Sequence, residues 1–198
     1  MKDSKVNKII SSAIKQFSKY GYKKTSIDSI VKDAGVSKGL LFYHFKSKKE
    51  LYLYLFKYVI EIYTEGVINK FDRSVTDFIE MLRESTKIKL ELDLEYPYTI
   101  DFYISVVQDE DKPEEIDEIL SEAKELANYE LYEHILRKTD ISKFKEGIDA
   151  ATAIKVASWV ATGFFSEEKI LNLDRIEEKM EEYENLLIKL LYKESYDG

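Results

Sequence analysis

The stretch from residue 34 to residue 50, Ala34-Gly35-Val36-Ser37-Lys38-Gly39-Leu40-Leu41-Phe42-Tyr43-His44-Phe45-Lys46-Ser47-Lys48-Lys49-Glu50, decides the fold. Ser37 is a natural cap for a short helix over 38–45, in which Leu41 and Phe45 share one face at i, i+4. Ser47-Lys48-Lys49-Glu50 reads as a capping box that opens a further helix, running to about Asn69 on Leu51, Leu55, Tyr58, Val59, Ile62 and Tyr63. Upstream, Gly35 ends a short helix whose buried stripe is Ile27, Ile30, Val31 and Ala34. Thr25-Ser26-Ile27-Asp28 forms its capping box, with Thr25 as the cap. Before it, Val6, Ile9, Ile10, Ala13, Ile14, Phe17 and Tyr20 make an unbroken helical stripe, and Gly21 falls where a left-handed C-cap is wanted. Two short helices joined by a tight Gly-containing turn make a helix-turn-helix.

Outward from this head the same period continues. Helices are expected near 74–94, 98–108, 114–138, 148–165 and 174–193, with Pro97 and Pro113 just inside two starts. Of the 198 residues only 7 are Gly and 2 Pro, while 44% are apolar and 34% charged, a balance that favours an all-α protein over a sandwich or barrel. The absence of Cys excludes thiolate catalysis and sulfur-bound zinc, and 2 His cannot supply a three-histidine metal site. No cofactor is expected. The most apolar run, Val156 to Phe165, is far short of the ~20 residues a membrane helix needs. The start, MKDSKVNKIISSAIKQF, lacks a signal peptide's apolar block, so the expectation is a soluble protein of a reducing cytoplasm with no membrane partner.

The net charge of −8 hides a division: residues 1–50 hold twelve Lys and no Arg against Asp3, Asp28, Asp33 and Glu50, a balance of +8, leaving −16 for the other 148. A basic head concentrates a polyanion, while an acidic body repels it and restricts how the molecule docks.

Gly35-Val36-Ser37-Lys38-Gly39 also fits G-x-S-x-G, the nucleophile elbow of serine hydrolases. That elbow needs a strand before the serine and a distant acid and histidine after it. Here a helix precedes it and His44 is too close, so Ser37 is read as a cap. With Leu41 and Phe45 inward, 100° per residue puts Gly39, Leu40, Phe42 and Tyr43 on the outer arc, an unusual choice for a solvated helix. In a major groove, Gly39 lets the backbone approach base edges, Leu40 and Phe42 meet thymine methyls, and Lys38 reaches guanine or phosphate. Tyr43, His44, Lys46 and Lys48 lie where phosphates pass, and the helix ends capped by Thr25 and Ser47 add anion sites.

Phe17, Gly21-Tyr22, Thr25-Ser26-Ile27, Ile30, Ala34 to Gly39 and Phe42 to Lys48 closely resemble the DNA-binding domain of TetR-type (tetracycline-repressor-like) transcriptional regulators. The resemblance covers about residues 4–55. It implies phosphate contact by Thr25, Tyr43, His44, Lys46 and Lys48, and base contact around Lys38, Gly39 and Phe42. With Ser26, Ser37 and Leu40 these residues form the expected DNA-binding set. Phe42 stands where the family often has Tyr, and Leu40 where it has a small or polar residue, so an operator preference does not transfer. The family also implies that 1–47 is the helix-turn-helix domain and 48–198 a helical domain for effector binding and dimerisation.

The body adds its own evidence. Ala150, Ala151, Ala153, Ala157, Ser158, Ala161 and Gly163 permit close helix approach. Ile176, Met180, Tyr183, Leu187 and Leu190 are spaced 4, 3, 4, 3 as a heptad seam, so the two helices are expected to form a homodimer interface. Glu130 and His134 interrupt an apolar stripe of the 114–138 helix. With Tyr63, Phe102, Tyr103 and Trp159 they are the expected effector-binding set, for a small, largely apolar molecule; Tyr132 and Phe164 are further candidates for aromatic wall. The sequence thus predicts a homodimeric regulator, a repressor released from a palindromic double-stranded operator by its effector. Two alternatives stay open: an all-helical enzyme using carboxylates such as Asp101 and Glu130, and a DNA-binding protein with no effector.

Overall fold

The computed structural model describes residues 4–127, 131–167 and 176–194. They form ten α-helices: α1 Ser4–Lys24, α2 Ile27–Ala34, α3 Lys38–His44, α4 Lys48–Lys70, α5 Phe78–Glu95, α6 Thr99–Gln108, α7 Glu115–Ala127, α8 Glu133–Lys138, α9 Ala150–Glu167 and α10 Ile176–Leu191. Among the described residues the only strand-like pairing is an isolated bridge between Phe144 and Tyr192. The all-helical expectation therefore holds, and no described helix is long and apolar enough to cross a membrane. Two boundaries differ from the sequence reading. Pro97 and Pro113 sit ahead of α6 and α7, not inside them, and the single helix expected over 114–138 is described as α7 and α8. The chain falls into two compact units, Met1–Phe71 with Lys87–Asn128, and Asp72–Thr86 with Tyr129–Gly198.

In the first unit the stripe of α1 is buried as its period requires, through Ile9, Ile10, Ala13, Ile14 and Phe17, against Ile30 of α2 and Leu41 of α3. The same core takes in Leu51, Tyr52, Leu55, Phe56 and Val59 of α4, Phe102 and Val106 of α6, and Ile116 and Ile119 of α7. The helix-turn-helix is thus one side of a larger core. Rings mark the junction: Tyr52 lies 4.8 Å from both Phe17 and Tyr22 and 5.6 Å, edge-on, from Phe102. Burying each such ring contributes roughly 1.5–3 kcal/mol, so apolar area is a large part of what fastens the head to α4 and α6.

Gly21 does not make the expected left-handed cap. At φ 70°, ψ 178° it occupies a region open in practice to glycine alone, and it kinks α1, whose last turn continues to Lys24. Gly35 does cap α2 in the left-handed conformation.

In the second unit Ala153 and Ala157 of α9 pack with Tyr183, Leu187 and Leu191 of α10 in a core that includes Phe78, Ile79, Phe144 and Tyr192. The Tyr183 hydroxyl donates to the Ala157 carbonyl at 2.9 Å. This corrects the seam reading. Tyr183 and Leu187 are buried by their own chain because the alanines of α9 allow α10 to approach, while Leu190 stays 43% exposed. The side chain of Ile176 lies outside the described residues.

Candidate nucleic-acid interface

The caps that set α3 and α4 form where the sequence places them. Ser37 Oγ accepts from the Leu40 amide at 3.2 Å and Ser47 Oγ from the Glu50 amide at 3.0 Å. The Glu50 carboxylate reaches back to accept from the Lys46 amide at 3.1 Å, which fixes the corner between the two helices. On α2 the cap is Ser26, whose Oγ accepts from the Ser29 amide at 3.0 Å. The capping role expected of Thr25 is corrected. Its buried hydroxyl lies against the carbonyls of Gln16 and Gly21, at 3.1 and 2.8 Å, and closes the kink of α1.

With Leu41 fully buried, α3 turns Phe42 and Tyr43 outward, at 40% and 82% exposure. Tyr43 packs edge-on against His44, 5.0 Å between ring centres. Ser37, Lys38, Gly39 and Lys46 are exposed beside them, and Ser26 is exposed at the start of α2. A Cβ built on Gly39 meets nothing within 4 Å, so internal packing does not require this glycine; it leaves the backbone open to approach from outside. Lys38 pairs with Asp28 at 2.9 Å, an exposed contact that is weak in water and readily exchanged for a phosphate. Two of the expected residues turn partly inward. Leu40 is half-buried, packed on the head core together with Val36. Lys48 turns its ammonium inward, donating to the carbonyls of Tyr22 at 2.8 Å and Thr25 at 3.1 Å and lying 4.5 Å from the Tyr22 ring centre. Burial holds its pKa below the usual lysine range.

The sequence reading missed the joint behind this face. Asp109, at the end of α6, accepts from the Tyr22 amide at 3.0 Å, just past the Gly21 kink, and Lys23 pairs with Asp111 at 3.3 Å. The available signal was the acidic run Asp109-Glu110-Asp111 against the basic pair Lys23-Lys24.

The candidate effector residues fall in both units. In the first, Tyr63 and Tyr103 are half-buried and burial pushes both phenols above their usual range. The Tyr63 hydroxyl shares a 2.6 Å hydrogen bond with Thr99 Oγ1, which lies 3.0 Å from Asp93 Oδ1. Phe102 is fully buried in the junction core. In the second unit His134 is half-buried, with its pKa lowered by burial and then by Arg73 and Lys138. Trp159 is 70% exposed on α9. Glu130 lies outside the described residues. Asp101, the carboxylate of the enzyme alternative, is held above its ordinary value by burial and by Asp93. No group of three or more His, Asp or Glu among the described residues is arranged to hold a metal ion.

The comparisons with known proteins agree with this geometry. Residues 9–55 match the model of the bacterial regulatory proteins, tetR family. A segment of 94 residues is 32% identical to the HTH-type transcriptional regulator RutR of Escherichia coli strain K12, spanning 48% of this chain and 43% of that relative. Over 193 residues the chain is 31% identical to the biofilm operon icaADBC HTH-type negative transcriptional regulator IcaR of Staphylococcus aureus strain Newman, covering 93% of this chain and 96% of IcaR. Among solved structures, the TetR family protein CprB of S. coelicolor A3(2) superposes with a TM-score of 0.74 at 19% identity, over 98% of this chain and 92% of CprB. With a relative aligned along nearly the whole of both chains and the family's helix-turn-helix in place, this chain belongs to the tetR family of bacterial regulatory proteins, which are transcription regulators and not enzymes.

Proposed function

We propose that the protein is a homodimeric cytoplasmic repressor that binds a palindromic DNA operator through α3 and is released from it by a small, largely apolar effector. Regulators of this family bind DNA and ligands and work as dimers. The observation that carries the reading is the pair Phe42 and Tyr43, left in water on a helix of the lysine-rich head. In this reading Phe42 and Gly39 meet base edges, while Ser26, Ser37, Lys38, Tyr43, His44 and Lys46 meet phosphates. Thr25 and Lys48 act one step back, holding the end of α1 to α2 and α4. The division of labour at residue 47 is functional and not a break in packing, since the head shares its core with α4, α6 and α7.

The effector site draws on Tyr63 and Tyr103 of the first unit, both half-buried, with Tyr63 in the hydrogen-bond chain to Thr99 and Asp93. A shift of α6 on effector binding reaches the head through Phe102 in the shared core and Asp109 on the Tyr22 amide. Dimerisation uses outward apolar side chains of α9 and α10: Trp159, Leu186 and Leu190 are 70%, 39% and 43% exposed. Footprinting on operators selected from the protein's own genome tests the reading. Two protected half-sites about one helical turn apart, ~34 Å, are expected. Absence of any footprint at low salt removes it.

A further inference from the structure

The first unit carries an open groove of about 640 Å³ that shares one residue, His44, with the proposed DNA-binding set. It is lined by α4, by α7, by the C-terminal end of α3 and by Val6 of α1. Its lining holds four carboxylates, Glu50, Glu115, Glu118 and Glu122, against two basic side chains, Lys57 and His44. Two of the four are engaged: Glu50 accepts from the Lys46 amide at 3.1 Å, and Glu115 pairs with Lys49 at 2.6 Å. Glu118 and Glu122 have no ion-pair partner among the described residues. They stand four residues apart on α7, a spacing at which like charges repel.

An aromatic ladder adds a second kind of contact. Tyr54, 43% exposed, lies 5.1 Å from Phe45 and stacks on Tyr58 at 6.2 Å with the rings 6° from parallel. Ring faces attract a cation through their quadrupole, most strongly one that is weakly hydrated, and neighbouring carboxylates supply the charge. The carboxylates of the lining repel phosphates and carboxylate ligands, so the groove suits a ligand of the opposite sign from that of the nucleic-acid face. We propose that it binds an organic cation with an aromatic or alkyl body, such as a quaternary ammonium, the charge held by Glu118 and Glu122 and the body laid against Tyr54. This goes beyond the proposed repressor function and does not depend on it. The site lies outside the expected effector set, and its occupant abuts Phe45 at the end of α3.

Benzyltrimethylammonium is the probe, titrated into the full-length protein at constant ionic strength and followed by NMR, with neutral benzyl alcohol as control. Saturable binding with a dissociation constant below about 1 mM is expected. It should weaken at least tenfold in the double variant Glu118→Gln/Glu122→Gln and severalfold in Tyr54→Leu, and benzyl alcohol should not compete. No saturable binding in that range, equal binding of benzyl alcohol, or unchanged affinity in these variants overturns the proposal. Operator affinity without the probe should be unchanged in the glutamine variant, which shows that it folds. Because the titration contains no DNA, a missing operator would sink the repressor reading and leave this one standing.

Discussion

Two of the surfaces that leave core-type side chains in water differ in what surrounds them. On α3, Phe42 and Tyr43 stand among the lysines of a head with a balance of +8 over residues 1–50. On α9 and α10, Trp159, Leu186 and Leu190 belong to the acidic remainder, with Glu181 and Glu182 exposed nearby on α10. Exposed aromatic and aliphatic groups imply a partner in both places. The surrounding charge distinguishes the partners: a polyanion suits the first surface, and a second copy meeting an apolar patch suits the second. Apolar content says that a surface is covered, and charge says by what.

The largest effects are expected where an outward leucine and an inward one stand side by side on α10. Leu186→Asp with Leu190→Asp should leave the fold intact, yield monomers in sedimentation, and lower operator affinity by on the order of 100-fold or more, because two linked half-site contacts become one. A double variant that stays dimeric moves the interface elsewhere and breaks the comparison. Leu187→Ala should instead cost about 2–5 kcal/mol in urea unfolding, since Leu187 is fully buried within its own unit. If it dissociates the dimer without destabilising the chain, the inward assignment is wrong.

A smaller effect is expected at the joint behind α3. Asp109→Ala removes the acceptor of the Tyr22 amide, which should lower the stability of the first unit by about 1 kcal/mol and speed hydrogen exchange at that amide. Unchanged exchange would show that the contact does not hold the head. The smallest is a pH effect confined to the second unit. The pKa of His134 is lowered from 6.5 in the fold by burial, so the folded form binds fewer protons than the unfolded one as pH falls below that value. Stability should therefore be full above pH 6.5 and decline on acidification through the window between the unfolded and folded values. His134→Gln should flatten that slope in thermal unfolding at a series of pH values. An unchanged slope assigns it to other groups.

The head was legible because its signals are local. Ser37 and Ser47 sit directly before the helices they cap, and Leu41 with Phe45 states which side of α3 is inward. Thr25 and Ser26 were not separable in this way, since both residue types cap helices. What decides is the reach of Thr25 to Gln16 and Gly21, set by a kink that no pattern announces. Contacts distant in sequence were also hidden: Asp109 and Tyr22 are 87 residues apart, and Tyr52 and Phe56 lie off the predicted stripe because α4 is covered from several sides. The heptad spacing of α10 correctly announces a buried face. Spacing alone does not tell whether the chain's own alanines or a second copy buries it.

The central claim is that the exposed face of α3 reads DNA, with phosphates and bases served by different residues. Its most direct test is a salt titration of affinity, on selected operator and on scrambled duplex, for the wild type, Lys46→Ala and Phe42→Ala. The account predicts that Lys46→Ala weakens both duplexes by similar factors and reduces the salt slope by roughly one. It predicts that Phe42→Ala leaves the slope intact and lowers the ratio of operator to scrambled affinity about tenfold, the scale of about 1–3 kcal/mol for a base contact. If Phe42→Ala and Lys46→Ala both leave operator affinity and the salt slope unchanged, α3 is not the reading surface.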